Sequence, residues 1–345
     1  MKRAQKQSIL NDLNKKLVLL VGPRQSGKTW LAKDIAREFK NSIYLNYDQL
    51  MDRKIMLNQA WLDTTDLLIL DELHKMPDWK NFLKGVYDTK PEHSLVPISL
   101  AELTQVSESI SIDNLIERGG FPEPYFAENE IDADRWRLQY INSLLSTDVF
   151  ELDAIQNIKA MKLVFELLRS RVGSPVSYQS LAEDVAVSPV TIKKYIQILE
   201  ALFIVFSVTP YSKNIARSLL KEPKIYFYDT GLVQGDDGVK LENLVAISLL
   251  KHALGKTDSL GQETALHYLR TKEGVEVDFA LASAGVLEMM IEVKLSDVTP
   301  AKSLIKFSEK YGYPACQIVK SLRNEYQQKG VRILKAEQFL SDLFL

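Results

Sequence analysis

The sequence predicts an α/β protein of several domains, in which a doubly wound parallel sheet is followed by a helical connector, a winged helix and an α+β domain. Strand-like apolar runs alternate with helical patterns over residues 1–100, which is typical of a parallel sheet. A helix-turn-helix pattern then spans about 161–228, and a strand hairpin follows near 275–295. At 345 residues the chain exceeds one ordinary hydrophobic core, so two or three domains are expected.

The composition excludes several classes of protein. The net charge of −2 excludes a uniformly basic surface, so any contact with DNA would need a local basic patch. The single cysteine, Cys316, rules out a disulfide framework and a multi-cysteine zinc site, and it favours a reducing, cytoplasmic location. No apolar run approaches the ~18 residues of a membrane span, so we expect no membrane contact.

A phosphate-binding loop is predicted behind the first strand. Strands are predicted at 17–21, 43–47, 67–70 and 95–98. The pattern G-x-x-x-x-G-K-[ST] is matched by Gly22, Pro23, Arg24, Gln25, Ser26, Gly27, Lys28 and Thr29. In such a loop the backbone N–H groups bind phosphate oxygens, Lys28 reaches the β and γ phosphates, and the Thr29 hydroxyl ligates Mg²⁺. The helix at about 28–39 points its positive end at the anion, so the sequence predicts binding of ATP with Mg²⁺.

The second part of this site is predicted at the end of the third strand. Residues 66–72 form an apolar run that ends in Asp71 and Glu72. We assign Asp71 to holding Mg²⁺ through water and Glu72 to orienting or deprotonating the attacking water, as phosphoryl transfer requires. The alternative is a strand that merely ends in solvated acids.

A helical connector and a winged helix follow the sheet. From 101 to 155 the pattern is helical, interrupted at 119–124 by two glycines and two prolines. The winged helix is predicted from helices at 178–185 and 189–202 and strands at 203–209 and 224–228. Apolar residues spaced four, three and four apart give its second helix one buried face.

The winged helix offers two sets of side chains to DNA. Away from the buried face of the second helix lie Thr191, Lys193, Lys194 and Gln197, which could enter a groove. From the wing, the phosphate backbone could be followed by Lys213, Arg217, Lys221 and Lys224. Many winged helices contact proteins instead, so a protein partner is an equal alternative.

The hairpin predicted near 275–295 gathers charged side chains on one face. Side chains alternate along a strand, so Glu292 and Lys294 share a face with Met290. Asp278 is expected about opposite Met290 and diagonal to Glu292, at roughly 7 Å. Two carboxylates and an ammonium can share a divalent metal and activate water against a phosphodiester. The alternative is an ordinary solvated strand face.

This spacing resembles the PD-(D/E)xK nuclease core. The resemblance assigns Asp278 to the aspartate of the motif and Glu292 and Lys294 to its E-x-K. Glu242 matches the acidic residue that a preceding helix often supplies, so the implied metal ligands are Glu242, Asp278 and Glu292. Val277 stands where the motif has a proline.

Nearly the whole chain resembles bacterial and archaeal AAA-type ATPases that carry a C-terminal domain of unknown function. The resemblance is carried by residues 22–29, 70–72, 77–79, 119–123, 228–232, 241–243, 270–272, 276–279 and 291–294. It implies a P-loop ATPase domain at 1–100, a helical lid or connector at 101–155, a winged helix at 156–232 and a nuclease-like domain at 238–345. Because one fold serves many functions, it does not by itself imply cleavage of nucleic acid.

One element of that family is missing from the pattern. Its members carry, after the third strand and its helix, a strand ending in a small polar residue that senses the γ-phosphate. Here 87–93 runs almost directly into 95–103, so either the protein has lost this strand or the sequence omits a segment at this point. A real loss would slow or abolish hydrolysis while binding survives. Ser99 is a candidate substitute sensor by its position at a strand end, although the resemblance argues against it. Arg118 is the nearest basic residue for a neighbour's nucleotide in a homo-oligomer, against the alternative of a surface ion pair.

Together these patterns predict a protein that binds ATP with Mg²⁺ through Lys28, Thr29 and Asp71, hydrolyses it with Glu72, and acts on DNA through its later domains. The alternative is a nucleotide-gated switch that binds protein partners and has no nuclease activity, which the near-neutral charge and the missing strand favour. A metabolic kinase is a weaker third option, because no acceptor pocket is indicated.

Overall fold

The structure is a computed structural model that describes residues 3–14, 17–86, 92–105, 111–145, 157–212, 222–271 and 274–343. These residues belong to two structural units, one ending at Leu95 and the other beginning at Val96. None of the described helices combines the length and the apolar character that crossing a lipid bilayer requires.

The N-terminal unit alternates strands with helices, as the sequence predicts. Its strands are β1 (Leu19–Val21), β2 (Ser42–Asn46), β3 (Leu67–Asp71) and β4 (Glu92–Ser94). Its helices are α1 (Gln5–Leu13), α2 (Lys28–Ala36), α3 (Leu50–Leu57) and α4 (Trp79–Val86). The first three strands lie within two residues of their predicted bounds.

These strands form two parallel ladders rather than the one continuous sheet that the sequence predicts. β1 pairs with β4 and β2 pairs with β3, and no described strand joins β1 to β3. The prediction of a strand at 95–98 is wrong: β4 lies three residues earlier, and Pro97 has no N–H with which to extend a ladder. Residues 87–91 lie outside the described residues, so the missing strand stays a prediction.

Apolar side chains cover both faces of β3. Alternate residues of a strand point to opposite faces. Leu67 and Ile69 pack with Leu31 of α2, whereas Leu68 and Leu70 belong to a second cluster that draws on α3 and α4. This double cover makes β3 a central strand and fixes its C-terminal end relative to α2.

The C-terminal unit combines helices with one large sheet. Its helices are α5 (Leu100–Leu103), α6 (Ile112–Arg118), α7 (Pro122–Tyr125), α8 (Glu130–Ser143), α9 (Ile158–Arg169), α10 (Tyr178–Val185), α11 (Pro189–Ala201), α12 (Asp237–Leu260), α13 (Lys302–Tyr311) and α14 (Ala336–Ser341). Its strands are β5 (Val205–Pro210), β6 (Lys224–Phe227), β7 (Thr264–Arg270), β8 (Glu276–Ser283), β9 (Val286–Lys294), β10 (Ala315–Val319), β11 (Tyr326–Gln328) and β12 (Val331–Lys335).

The sheet crosses the predicted boundary between the winged helix and the last domain. Its described strands follow the order β11-β12-β10-β9-β8-β7-β5-β6. β5 pairs with β6 in antiparallel fashion and with β7 in parallel fashion, through Thr209 opposite His267 and Pro210 opposite Tyr268. The strands on the two sides of the boundary are therefore hydrogen-bonded to each other, and the four domain boundaries stay a prediction.

The helix-turn-helix pattern places α10 and α11 within one residue of their observed bounds. Serine hydroxyls define both starts: Ser177 accepts a hydrogen bond from the N–H of Ser180, and Ser188 accepts one from the N–H of Thr191. The buried face of α11 includes Ile192, Ile196 and Leu199, as predicted. These elements fit a winged helix, and that interpretation stays a prediction.

Two segments that carry the family resemblance meet within the C-terminal unit. Gly119, just after α6, has a φ of 67°, and a Cβ on it would lie 1.7 Å from Oδ1 of Asp229. Asp229 is 1% exposed and accepts hydrogen bonds from the Gly231 N–H at 3.0 Å and from Nε of Arg137 at 3.3 Å. The helical pattern is interrupted at 119–121 rather than over the predicted 119–124, since α7 begins at Pro122, and Gly119 serves close packing of the connector against the segment after β6.

Candidate nucleotide site and carboxylate cluster

The predicted phosphate loop has the backbone of an anion-binding turn. Gly22, Gln25 and Gly27 have positive φ values of 148°, 61° and 95°. Residues with positive φ among residues with negative φ turn successive backbone N–H groups toward one side of the loop. A Cβ on Gly22 would lie 2.0 Å from the carbonyl oxygen of Leu95, so only glycine fits there. α2 begins at Lys28 with no acidic residue in its first turn, so the helix itself places no carboxylate at its positive end.

The Lys28 ammonium lies over the loop itself. Its Nζ donates to the carbonyl oxygens of Gly22 at 2.9 Å and Pro23 at 2.7 Å. Burial lowers the pKa of Lys28, and the nearby Asp71 carboxylate only partly offsets this. Ser26 is fully buried, and its Oγ has no hydrogen-bond partner. An anion in the loop would supply the negative charge that this ammonium lacks.

Thr29 and Asp71 meet as the sequence predicts. The Thr29 hydroxyl donates to Oδ2 of Asp71 at 3.0 Å, although 42 residues separate them. The same oxygen accepts a hydrogen bond from the hydroxyl of Tyr44 at 2.5 Å. Burial, together with this bond and the charge of Asp71, raises the pKa of Tyr44 to about 12. Tyr44 was missed by the sequence analysis, since nothing in its own strand indicates that its hydroxyl reaches the end of β3.

Glu72 follows Asp71 in a left-handed conformation, with a φ of 55°. Its N–H donates to Oδ1 of Asp71 at 3.0 Å. Its carboxylate lies 3.3 Å from Nζ of Lys75 and 3.6 Å from Nε2 of His74, and its side chain is 37% exposed. Glu72 is therefore beside the Thr29–Asp71 pair but accessible to water.

The residues of this site fit ATP with Mg²⁺. Lys28 and the loop N–H groups would hold the phosphates, and Thr29 and Asp71 offer the hard oxygen ligands that Mg²⁺ prefers. Arg24 and Gln25 have exposed side chains and would contribute their backbone.

The two further residues considered for nucleotide contact have other partners. Ser99 caps α5: its hydroxyl accepts a hydrogen bond from the N–H of Glu102 in a capping box. Arg118 pairs with Glu130 at 2.8 Å and donates to the carbonyl oxygen of Ala127 at 2.6 Å. These contacts match the ion-pair alternative for Arg118 and do not favour Ser99 as a sensor.

The predicted hairpin forms from β8 and β9, and a β-bulge decides which side chains face each other. At the bulge β9 carries one extra residue, which shifts every later pair by one. The turn is also centred one residue later than Ser283 and Ala284, the centre that the predicted pairing assumes, since Ser283 pairs with Val286. Together the two shifts place Ala280 rather than Asp278 opposite Met290, and the same register sets Asp278 opposite Glu292. The predicted diagonal arrangement is wrong, because the sequence marks neither the bulge nor the centre of the turn.

The charged residues predicted for the hairpin come together with a helix residue. Nζ of Lys294 donates to Oε1 of Glu292 at 2.9 Å, and the N–H of Val293 donates to Oδ2 of Asp278 at 2.9 Å. On α12, Glu242 accepts a hydrogen bond from the Tyr226 hydroxyl at 2.7 Å. Burial and the charge of Asp278 raise the pKa of Glu242 and of Glu292 to about 7.

A lysine that the sequence assigned to the wing lies among these carboxylates. Lys224, the first residue of β6, is 1% exposed. Its Nζ lies 2.7 Å from Glu276, 3.6 Å from Glu242 and 4.0 Å from Asp278. The prediction that Lys224 follows DNA phosphates is therefore wrong. Its predicted companions, Lys213, Arg217 and Lys221, lie outside the described residues.

The carboxylate cluster (Glu242, Glu276, Asp278 and Glu292) does not fit a divalent metal as it stands. Mg²⁺ and Ca²⁺ take several oxygens at about 2.0–2.6 Å from one point, whereas three of these carboxylates surround the Lys224 ammonium and Glu292 pairs with Lys294. In the part of the chain that the structure describes, no three acidic, histidine or cysteine side chains are arranged to hold a metal ion. The assignment of Glu242, Asp278 and Glu292 as metal ligands stays a prediction that the present arrangement does not favour.

The outward face of α11 has the exposure that the sequence predicts. Lys193, Lys194 and Gln197 are exposed, while Thr191 is half-buried and its hydroxyl lies 2.8 Å from that of Ser188. A contact of this face with DNA or with a protein stays a prediction.

Comparison with known proteins gives matches along the whole chain. Residues 14–111 match the model of an AAA domain, and residues 110–240 and 237–339 match two domains of unknown function, DUF8612 and DUF4143. An uncharacterized protein of Mycobacterium tuberculosis is 26% identical over 304 residues, covering 78% of this chain and 68% of its own length. An uncharacterized protein of Methanocaldococcus jannaschii is 25% identical over 389 residues, covering 88% and 80%. No solved structure matches significantly.

The AAA match contains both halves of the nucleotide site. Gly22 to Thr29 and Asp71 with Glu72 all fall within residues 14–111. The comparisons support an AAA domain of nucleotide-binding, ATPase type, joined to a C-terminal domain that similar bacterial and archaeal proteins share.

Proposed function

We propose that this protein binds ATP with Mg²⁺ and hydrolyses it, and that its C-terminal unit acts on DNA in response. The hydrogen bond of 3.0 Å between Thr29 and Asp71 carries the proposal, because it joins the two halves of the predicted site. Lys28, held over the loop by neutral carbonyl groups, supports it from the other side.

Each residue has one task in this proposal. Lys28 binds the terminal phosphates, Thr29 and Asp71 hold the metal ion, and Glu72 orients the attacking water and accepts its proton. When bound, Mg²⁺ supplies positive charge that stabilises the phosphate oxygens. If the family's sensor strand is missing, as the sequence predicts, binding is expected to be retained while turnover is slow.

Nucleotide binding is tested with a fluorescent ATP analogue and the Lys28→Ala variant. Charge-assisted hydrogen bonds contribute about 1.5–3 kcal/mol, so the affinity should fall at least about tenfold. Arg37→Ala is the matched control, since Arg37 lies at the other end of α2 with a side chain 80% exposed. Equal affinity of Lys28→Ala and the wild type would show that the site is wrongly assigned.

Hydrolysis is tested separately with Glu72→Gln. Loss of a general base lowers turnover by about 10²–10⁴-fold, while binding of the analogue should change little. Phosphate release by the variant at the wild-type rate would remove Glu72 from the mechanism.

The DNA part of the proposal rests on the exposed face of α11. The variant Lys193→Ala/Lys194→Ala/Gln197→Ala should weaken binding to duplex DNA and reduce its dependence on salt. Lys302→Ala/Lys306→Ala removes two exposed lysines of α13 and serves as the control. If both variants bind DNA as the wild type does, this face does not contact the duplex.

A second candidate function is a nucleotide-gated switch that binds a protein partner and has no nuclease activity. The burial of Lys224 among Glu242, Glu276 and Asp278 favours it. Plasmid DNA incubated with Mg²⁺ or Mn²⁺ should then remain intact. Nicking by the wild type that disappears in Lys294→Ala would instead support the nuclease.

A further inference from the structure

Lys224 has the surroundings of a bound cation rather than of a surface lysine. Its Nζ lies within 4.0 Å of Glu242, Glu276 and Asp278, and 5.4 Å from the centre of the Tyr268 ring. Three carboxylates thus surround the Lys224 ammonium inside the unit.

One oxygen of the carboxylate cluster is buried without a hydrogen-bond partner. Lys294 bonds one oxygen of Glu292, and the other, Oε2, is buried without a hydrogen-bond partner in a residue only 6% exposed. Glu292 lies opposite Asp278 in the hairpin, on the same face of the sheet. A buried carboxylate oxygen that lacks a donor is costly, and a cation is the partner that would satisfy it.

We propose that Lys224 is a built-in cation that holds the place of a divalent metal in the carboxylate cluster. In the wild type the ammonium keeps Glu242, Glu276 and Asp278 apart around itself, so the cluster does not take Mg²⁺ or Mn²⁺. Removing the ammonium leaves four carboxylates beside Lys294. The carboxylates are a set of hard oxygen ligands that binds a divalent ion. The C-terminal unit is therefore closed to metal chemistry as long as β6 keeps its place in the sheet.

The position of Lys224 on the chain makes this closure depend on β6. β6 is the outermost described strand at its end of the sheet; it pairs with β5, and on its other side Pro175 forms a single antiparallel bridge with Lys224. The cluster residues come from other elements, Glu242 from α12 and Glu276, Asp278 and Glu292 from β8 and β9. Displacement of this one strand would thus withdraw the ammonium, together with the Tyr226 hydroxyl that bonds Glu242, while the elements that carry the carboxylates keep their places.

The test measures Mn²⁺ binding to the nucleotide-free full chain by electron paramagnetic resonance, with Lys224→Met as the main variant. Methionine keeps the length of the side chain and removes the charge. The variant should gain one Mn²⁺ site, bound at least about tenfold more tightly than any site of the wild type. Lys224→Arg, which keeps the charge, and Lys256→Met, which removes a lysine paired with the exposed Glu288, should gain none.

A second substitution locates the new site. Adding Asp278→Asn to Lys224→Met should abolish the gained Mn²⁺ site while leaving nucleotide binding unchanged. Nucleotide binding is measured on the same samples, so failure of the ATP proposal and failure of this one are distinguishable.

Three results would overturn the proposal. The first is a Lys224→Met protein that has the wild-type circular dichroism spectrum and binds no Mn²⁺. The second is a wild type that binds Mn²⁺ at the cluster, seen as cleavage of its backbone at β8 or β9 by Fe²⁺ and ascorbate. The third is a Lys224→Met protein that stays unfolded even in millimolar Mn²⁺, because the metal would then fail to replace the ammonium.

Discussion

Asn243 is the residue whose loss tests how the strand that carries Lys224 is held. Its side chain, fully buried on α12, accepts a hydrogen bond from the Phe227 N–H at 2.8 Å and donates to the Phe227 carbonyl oxygen at 3.0 Å. A third bond, also of 3.0 Å, runs to the Thr230 hydroxyl. At Phe227 no described strand lies on this side of β6, where Pro175 bridges only Lys224, so the amide of Asn243 takes the place of an adjacent strand.

The free-energy cost of Asn243→Ala follows from the hydrogen-bonding groups that lose their partners. Phe227 is fully buried, so its N–H and C=O would lose their partners away from water. Each unsatisfied buried group costs about 1–3 kcal/mol, so these two groups give a loss of roughly 2–6 kcal/mol, to which the lost Thr230 bond adds. At about 2–4 °C per kcal/mol for a unit of this size, the thermal midpoint should fall by at least roughly 4–24 °C.

Hydrogen exchange and thermal unfolding together measure this effect. In Asn243→Ala the peptide covering 222–230 should exchange faster, and the unfolding of the C-terminal unit should move to lower temperature. Ser248→Ala is the control on the same helix, because the Ser248 hydroxyl bonds only the Leu244 carbonyl oxygen and its loss should cost less than about 1 kcal/mol. If Asn243→Ala exchanges and melts like Ser248→Ala, the clamp on β6 is not a source of stability.

Three further substitutions or reactions test other parts of the structure. Gly119→Ala should lower the free energy of unfolding by more than about 2 kcal/mol, because its Cβ would lie 1.7 Å from Asp229. Gly261→Ala is the control: Gly261 has a similar φ and nothing within 4 Å of the added Cβ, so this change should cost about 1 kcal/mol. Equal melting temperatures of the two variants would contradict this prediction. Thr29→Val should remove the gain in ATP affinity that Mg²⁺ gives. The affinity for a fluorescent ATP analogue is measured by titration in the presence of Mg²⁺ and in the presence of a chelator. If Mg²⁺ raises the affinity of the variant as much as that of the wild type, Thr29 is not a ligand of the metal ion. Cys316 is 1% exposed, and burial raises the pKa of its thiol to about 12. At pH 8 a disulfide reagent should therefore react slowly with the folded protein and rapidly after denaturation. Rapid labelling of the folded protein would show that β10 opens readily.

Features fixed by local chemistry were predictable from the sequence. The serine caps at Ser177 and Ser188 set the starts of α10 and α11, and the predicted bounds were right within one residue. The phosphate loop was predictable for the same reason, because its glycines satisfy backbone requirements at Gly22 and Gly27 that no other residue meets easily. In both cases the signal and the structure lie within a few residues of each other.

Features fixed by partners distant in the chain were not predictable. The bulge in β9 changes which residue faces Asp278, and a one-residue shift in a hairpin leaves no mark in the alternation of the strands. Lys224 has the same surroundings in the sequence as the basic residues of the wing, and only the pairing of β5 with β7 and of β8 with β9 brings the cluster to it. Tyr44 reaches Asp71 through the parallel pairing of β2 with β3, which the sequence does not specify.

The two sites differ most clearly in how their buried lysines are satisfied. Lys28 donates to two neutral carbonyl groups, and burial lowers its pKa, so the charge of this ammonium is poorly compensated until an anion arrives. Lys224 is surrounded by carboxylates, and its pKa is raised, so its charge is already compensated within the protein. An anionic ligand would thus neutralise the poorly compensated charge of Lys28. A cationic ligand at the second site must instead displace the Lys224 ammonium from its carboxylate partners. The same chemistry that makes the loop ready for a nucleotide therefore makes the carboxylate cluster resistant to a metal.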